Sequence, residues 1–75
     1  MLVNVRVDER HPHVADELAA EIAAATEALD GEGRVLVRAS GTEPMIRVMV
    51  EAATAEAAQR TAEDLADVVR GRFAS

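Results

Sequence analysis

Arg38 and Arg47 bracket the segment Ala39-Ser40-Gly41-Thr42-Glu43-Pro44-Met45-Ile46. A symmetric hairpin with its midpoint between Thr42 and Glu43 pairs Ala39 with Ile46, Val37 with Val48 and Val35 with Val50. These six residues are apolar and share one face, which supports the register. The opposite face pairs Arg34 with Glu51, Leu36 with Met49 and Arg38 with Arg47. Like charges directly opposite each other destabilise a hairpin by up to ~1 kcal/mol. An anion between the two guanidinium groups converts that penalty into charge-assisted hydrogen bonds of ~1.5–3 kcal/mol each. Ser40 and Thr42 add hydroxyl donors, the loop adds backbone N–H groups, and Gly41 lets the backbone turn toward a ligand. Arginine suits the forked geometry of a phosphate better than lysine does. Pro44 stiffens the loop exit, and Glu43 is placed to hold one of the arginines. The competing reading is a plain turn, since Ser-Gly-Thr-Glu-Pro is good turn composition and solvated arginines on hairpins are common.

Other polar residues carry weaker signals. Asp64 and Asp67 lie about one helical turn apart, a spacing that usually gives a solvated face, and magnesium needs several converging oxygen ligands. His11 and His13 flank Pro12, and two histidines without a third ligand make a poor zinc site; a polar helix entrance is expected there instead.

The elements that must position the loop follow from periodicity. Leu2 to Val7 alternates and is rich in valine, with Val3, Val5 and Val7 on one face, so it reads as a strand. Pro12 suits the first position of a helix, and Val14, Leu18, Ile22, Ala25 and Leu29 form one apolar stripe behind it. Asp30-Gly31-Glu32-Gly33 ends this helix, with Gly31 as a C-terminal cap. Strands follow over 34–39 and 46–51. Thr54 is an N-cap, and Ala58, Ala62, Leu65 and Val69 mark a second amphipathic helix. The expected fold is α+β in the order β-α-β-β-α, a small, largely antiparallel sheet with both helices on its valine face. Leu2, Leu36 and Met49 then fall on the other face, as an apolar patch suited to contacting another domain.

Composition narrows the function classes. The 75 residues make one domain without cysteine, and Phe73 is the one aromatic residue. Such a chain sits near the lower size limit for a single hydrophobic core. The net charge is −6, and all eight basic residues are arginine. An acidic balance without aromatic stacking residues argues against nucleic-acid binding. No apolar run approaches a membrane span, and a soluble cytoplasmic protein is expected.

The run Arg38-Ala39-Ser40-Gly41-Thr42-Glu43-Pro44-Met45-Ile46-Arg47-Val48-Met49-Val50-Glu51 resembles the signature of the C-terminal domain of the phosphohexomutases. Its Arg-Val-Met-Val-Glu ending is most similar to the bacterial phosphoglucosamine mutase branch, and the opening Leu2-Val3-Asn4-Val5-Arg6-Val7 also fits. The resemblance covers essentially the whole chain and implies that residues 1–75 are the fourth, phosphate-binding domain of a cytoplasmic isomerase. In that family a phosphoserine donates its phosphoryl group, magnesium neutralises charge, and a sugar bisphosphate reorients between half reactions. The glucosamine branch interconverts glucosamine 6-phosphate and glucosamine 1-phosphate on the route to peptidoglycan amino sugars. By resemblance, Arg38, Ser40, Gly41, Thr42 and Arg47 bind the phosphate that is not transferred. The phosphoserine loop, the magnesium-binding aspartates and the sugar-specificity loop have no counterpart in this sequence. No catalytic residue is therefore expected in the fragment, and it is expected to be inactive alone. Met1 directly before a strand reads as an artificial start, hence an excised domain. Two alternatives stay open: the same domain of a phosphomannomutase or phosphoglucomutase, or a stand-alone protein-interaction domain using the Leu36–Met49 face.

Overall fold

The alternating valines build the sheet. A computed structural model describes residues 1–73 and contains β1 (Leu2–Arg6), α1 (Val14–Glu17), α2 (Ala19–Ala28), β2 (Arg34–Ala39), β3 (Met45–Glu51) and α3 (Ala55–Phe73). The sheet is antiparallel throughout, in the order β1-β3-β2, with β3 at its centre. Its β2–β3 register agrees pair for pair with the expected hairpin, from Arg34 opposite Glu51 to Ala39 opposite Ile46. On the other side of β3, Leu2 lies opposite Met49, Asn4 opposite Arg47 and Arg6 opposite Met45.

One face of the sheet is the core. Val5, Val35, Val37, Ile46, Val48 and Val50 are buried there against Val14, Leu18, Leu29, Leu65, Val69 and Phe73. Complete burial of an aliphatic side chain stabilises by ~1.5–3 kcal/mol, so the central β3 residues anchor the fold. Helix α3 packs on β3 and β1, while α1 and α2 cover β2. The Thr54 hydroxyl accepts a hydrogen bond from the Ala57 N–H at 3.1 Å, the expected N-cap. Alanines Ala58, Ala62 and Ala66 are buried along α3 and let the helix approach the sheet closely.

The first helical stripe departs from the expected single helix. It is interrupted at Leu18, whose φ of −107° and ψ of 20° lie outside helical values. Leu18 is nonetheless completely buried. The interruption lets both pieces lie along β2 while Val14 and Leu18 stay in the core. At the end of α2, Asp30 (φ 52°) and Gly31 (φ 75°) both turn through the left-handed region. Gly31 plays its expected part in stopping the helix, and Asp30 shares the turn with it.

Residues 7–13 leave β1 at the same end of the sheet as the β2–β3 loop. The Val7 N–H donates to the Pro44 carbonyl at 2.9 Å, and the Asp8 N–H donates to the Phe73 carbonyl at 3.0 Å. His11 stacks on Phe73, with ring centroids 4.1 Å apart, and hydrogen-bonds the Asp8 carboxylate at 2.8 Å. That bond holds the Asp8 carboxyl below its ordinary value. The single aromatic residue thus fastens the end of α3 to the strand–helix connection, in keeping with a structural role for His11.

Candidate functional site

The loop between β2 and β3 is drawn inward at Ser40. The Ser40 N–H donates to the Met45 carbonyl at 2.9 Å, continuing the hairpin ladder one step past the strands. The Ser40 hydroxyl oxygen accepts from the N–H groups of Thr42 and Glu43, at 3.4 and 3.3 Å. Ser40 therefore organises the turn, and its own hydroxyl proton is still free to donate outward. Gly41, Thr42 and Glu43 are exposed. Apart from its two chain neighbours, no residue comes within 4 Å of where a Cβ on Gly41 would sit, so the loop is open on that side.

Arg38 and Arg47 face each other across the hairpin on the side of the sheet away from the helices, and both are exposed. With Asn4 on the far side of Arg47, they form a polar row across all three strands. A shallow cavity of about 420 Å³ is lined by both arginines and by Ser40, Gly41 and Thr42. The structure thus brings together all five residues singled out in the sequence. Leu2, Leu36 and Met49 complete the lining as the next row of the same face. They are 51%, 43% and 40% exposed, the apolar patch expected there.

Glu43 does not hold either arginine of the pair. Its carboxylate lies 3.8 Å from Arg6, which extends from the neighbouring strand β1. The β1–β3 pairing places Arg6 opposite Met45, beside the loop exit, and so intercepts the acid.

The charge distribution sharpens the picture. Arg6, Arg34, Arg70 and Arg72 each pair with a carboxylate. Among the described residues Arg10, Arg38, Arg47 and Arg60 form no ion pair within 4.0 Å. Three of these four arginines converge on the loop, since the Arg10 guanidinium donates to the Gly41 carbonyl at 3.3 Å. In a chain of net charge −6, cations left without carboxylates at one place form a local positive field suited to an external anion. Arg10 escapes the sequence reading because it lies far from the loop along the chain; only the pairing of β1 with β3 brings its segment there.

The acidic residues make no comparable site. Asp67 bonds Arg70 at 3.0 Å, and among the described residues no three His, Cys, Asp or Glu side chains converge on a point. No helix among the described residues is long and apolar enough to cross a membrane.

Residues 2–68 match the family model of the phosphoglucomutase/phosphomannomutase C-terminal domain. The phosphoglucosamine mutase of Lysinibacillus sphaericus is 57% identical over 73 residues, covering 96% of this chain and 16% of that protein. The phosphoglucosamine mutase of Leifsonia xyli subsp. xyli is 55% identical over 75 residues, covering 99% of this chain and 17% of the relative. That of Staphylococcus carnosus is 54% identical over 73 residues, again 96% of this chain and 16% of the relative. The chain thus spans about one sixth of the length of these relatives.

Proposed function

The chain belongs to the phosphoglucomutase/phosphomannomutase C-terminal domain family, and on that premise we propose that it grips the non-transferred phosphate of a hexose phosphate within a larger isomerase. The observation that carries this reading is the set of uncompensated arginines around an open loop in an acidic chain. Arg38 and Arg47 clamp the phosphate from the sheet, each offering a planar fork of donors. Ser40 and Thr42 supply hydroxyl donors, and Gly41 leaves space for the anion to reach the backbone. Residues 1–75 act as one phosphate-binding domain, and no group in it performs the phosphoryl transfer.

Similarity to phosphoglucosamine mutases favours glucosamine 6-phosphate and glucosamine 1-phosphate as the interconverted pair. The phosphoserine, the magnesium site and the action of a sugar bisphosphate belong, on this reading, to other domains of a cytoplasmic parent enzyme. The fragment alone is inactive. The contribution of the loop is orientation: a phosphate held at one end of the sugar presents the other end to the transfer machinery. The exposed row of Leu2, Met49 and Leu36 supports a second role, as a surface against which another protein domain rests.

The test lies in the full-length enzyme. Arg38→Ala or Arg47→Ala raises KM for glucosamine 6-phosphate by ~10–100-fold, as expected for losing one or more charge-assisted contacts. Phosphorylation of the catalytic serine stays intact. Unchanged KM and unchanged turnover in both variants overturn the assignment.

A further inference from the structure

We infer that Arg10 is a positioning residue for the phosphate loop, aiming the Gly41–Thr42 peptide so that the N–H of Thr42 is turned toward the anion side. This rests on the phosphate-grip reading and adds to it a residue from outside the hairpin.

The argument begins with the peptide itself. A trans peptide is planar, and its C=O and N–H point in opposite directions. The Arg10 guanidinium donates to the Gly41 carbonyl at 3.3 Å. The N–H of Thr42, on the same peptide, therefore points away from Arg10, toward the Ser40 hydroxyl oxygen 3.4 Å away. Ser40 and Thr42 both line the cavity together with Arg38 and Arg47, and Arg10 is not among its lining residues. Arg10 lines a second depression, together with Glu9, Pro12, Ser40 and Gly41. Arg10 thus reaches the Ser40–Gly41 segment through a depression that neither Arg38 nor Arg47 lines.

Gly41 makes such a tether necessary. Space around it is open, and glycine permits the adjoining peptide to turn over at little steric cost. A peptide turned over would present its carbonyl oxygen to the phosphate, placing a partial negative charge against an anion. A cationic donor on the carbonyl favours the productive orientation and polarises the peptide, strengthening the Thr42 N–H as a donor.

The remainder of the segment is built to hold Arg10 in place. On its N-terminal side Val7 is bonded to Pro44 and Asp8 to Phe73. On its C-terminal side His11 is stacked on Phe73 and bonded to Asp8. Among the described residues no carboxylate within 4.0 Å competes for the Arg10 guanidinium.

The experiment is an amide-resolved titration of this chain with inorganic phosphate, comparing the wild type with Arg10→Ala and Arg10→Lys. Without ligand, Arg10→Ala shifts the Thr42 and Glu43 amides and speeds their hydrogen exchange, while the melting temperature stays within a degree or two. Its dissociation constant for phosphate rises roughly three- to tenfold, and Arg10→Lys, which retains a charged donor, restores most of both effects. Weaker binding with unmoved Thr42 and Glu43 amides would make Arg10 a distant charge and overturn the positioning role. Unchanged binding in Arg10→Ala, with the wild type still binding at residues 38–47, overturns it while leaving the phosphate grip standing. Absence of binding at residues 38–47 in the wild type removes the grip and the role of Arg10 together.

Discussion

Combined replacement of Arg38 and Arg47 by alanine is expected to abolish measurable phosphate binding by this chain while leaving it folded. Arg38 and Arg47 are cross-strand partners on the exposed face of the hairpin, with no carboxylate partner within 4.0 Å among the described residues. Each offers the anion charge-assisted hydrogen bonds of ~1.5–3 kcal/mol, discounted by their exposure to solvent. Loss of either alone weakens binding by about tenfold, and loss of both moves a roughly millimolar affinity beyond detection. The effect on stability has the opposite sign. Removing a like-charge pair relieves cross-strand repulsion, so the variants melt at the same temperature as the wild type or slightly higher. Calorimetric titration with inorganic phosphate and a thermal melt on the same samples check both halves. A variant that unfolds would assign the arginines to structure rather than binding.

The second large effect is on folding. Gly33→Ala is expected to destabilise the domain by about 3 kcal/mol or more, because overpacking against unyielding atoms is among the costlier substitutions. Gly33 enters β2 beside the end of β3, and a Cβ there would overlap the backbone carbonyl oxygen of Glu51. The same Cβ would press on the Ala52 Cα and on the Leu29 side chain, each 3.0 Å away. A backbone oxygen held in the sheet cannot swing aside as a flexible side chain could. For a domain of this size total stability is about 4–11 kcal/mol, so the variant loses a large share of it. Gly71→Ala is the control. It lies in α3 with nothing within 4 Å of its prospective Cβ, and alanine there should stabilise by ~0.5–1 kcal/mol. Urea denaturation of the two variants reads both signs; equal midpoints would contradict the close-packing argument.

Much of this fold is legible in the residue pattern because its elements speak in simple periods. Val35, Val37, Ile46, Val48 and Val50 set the hairpin register, since a slip of one residue would turn all of them to solvent. The stripe from Ala58 to Val69 and the Thr54 cap define α3 in the same way. The loop composition and the Arg38–Arg47 pairing are what mark the proposed anion site in the sequence. What escapes is what tertiary structure alone decides. The pairing of β1 with β3 carries Arg6 to Glu43 and the following segment to Gly41. Neither contact has a local signature, because partners so distant in sequence meet only once the sheet is closed. The break at Leu18 is hidden for a related reason: a continuous apolar stripe is compatible with a straight helix, and the break shows only where both pieces pack on β2. Gly33 reads as loop punctuation in sequence, whereas its place in the structure follows from the passing backbone of β3.

The most direct test of the central claim is an NMR amide-shift titration of the chain with glucosamine 6-phosphate, using glucosamine as the control. Phosphate gripping by the loop predicts saturable shifts concentrated in residues 38–47 with the phosphosugar, at roughly millimolar affinity, about −4 kcal/mol. Glucosamine at the same concentrations should leave those amides unmoved. Identical shifts with both compounds, or no shifts in residues 38–47 at tens of millimolar phosphosugar, would contradict the claim and return the loop to the status of a turn.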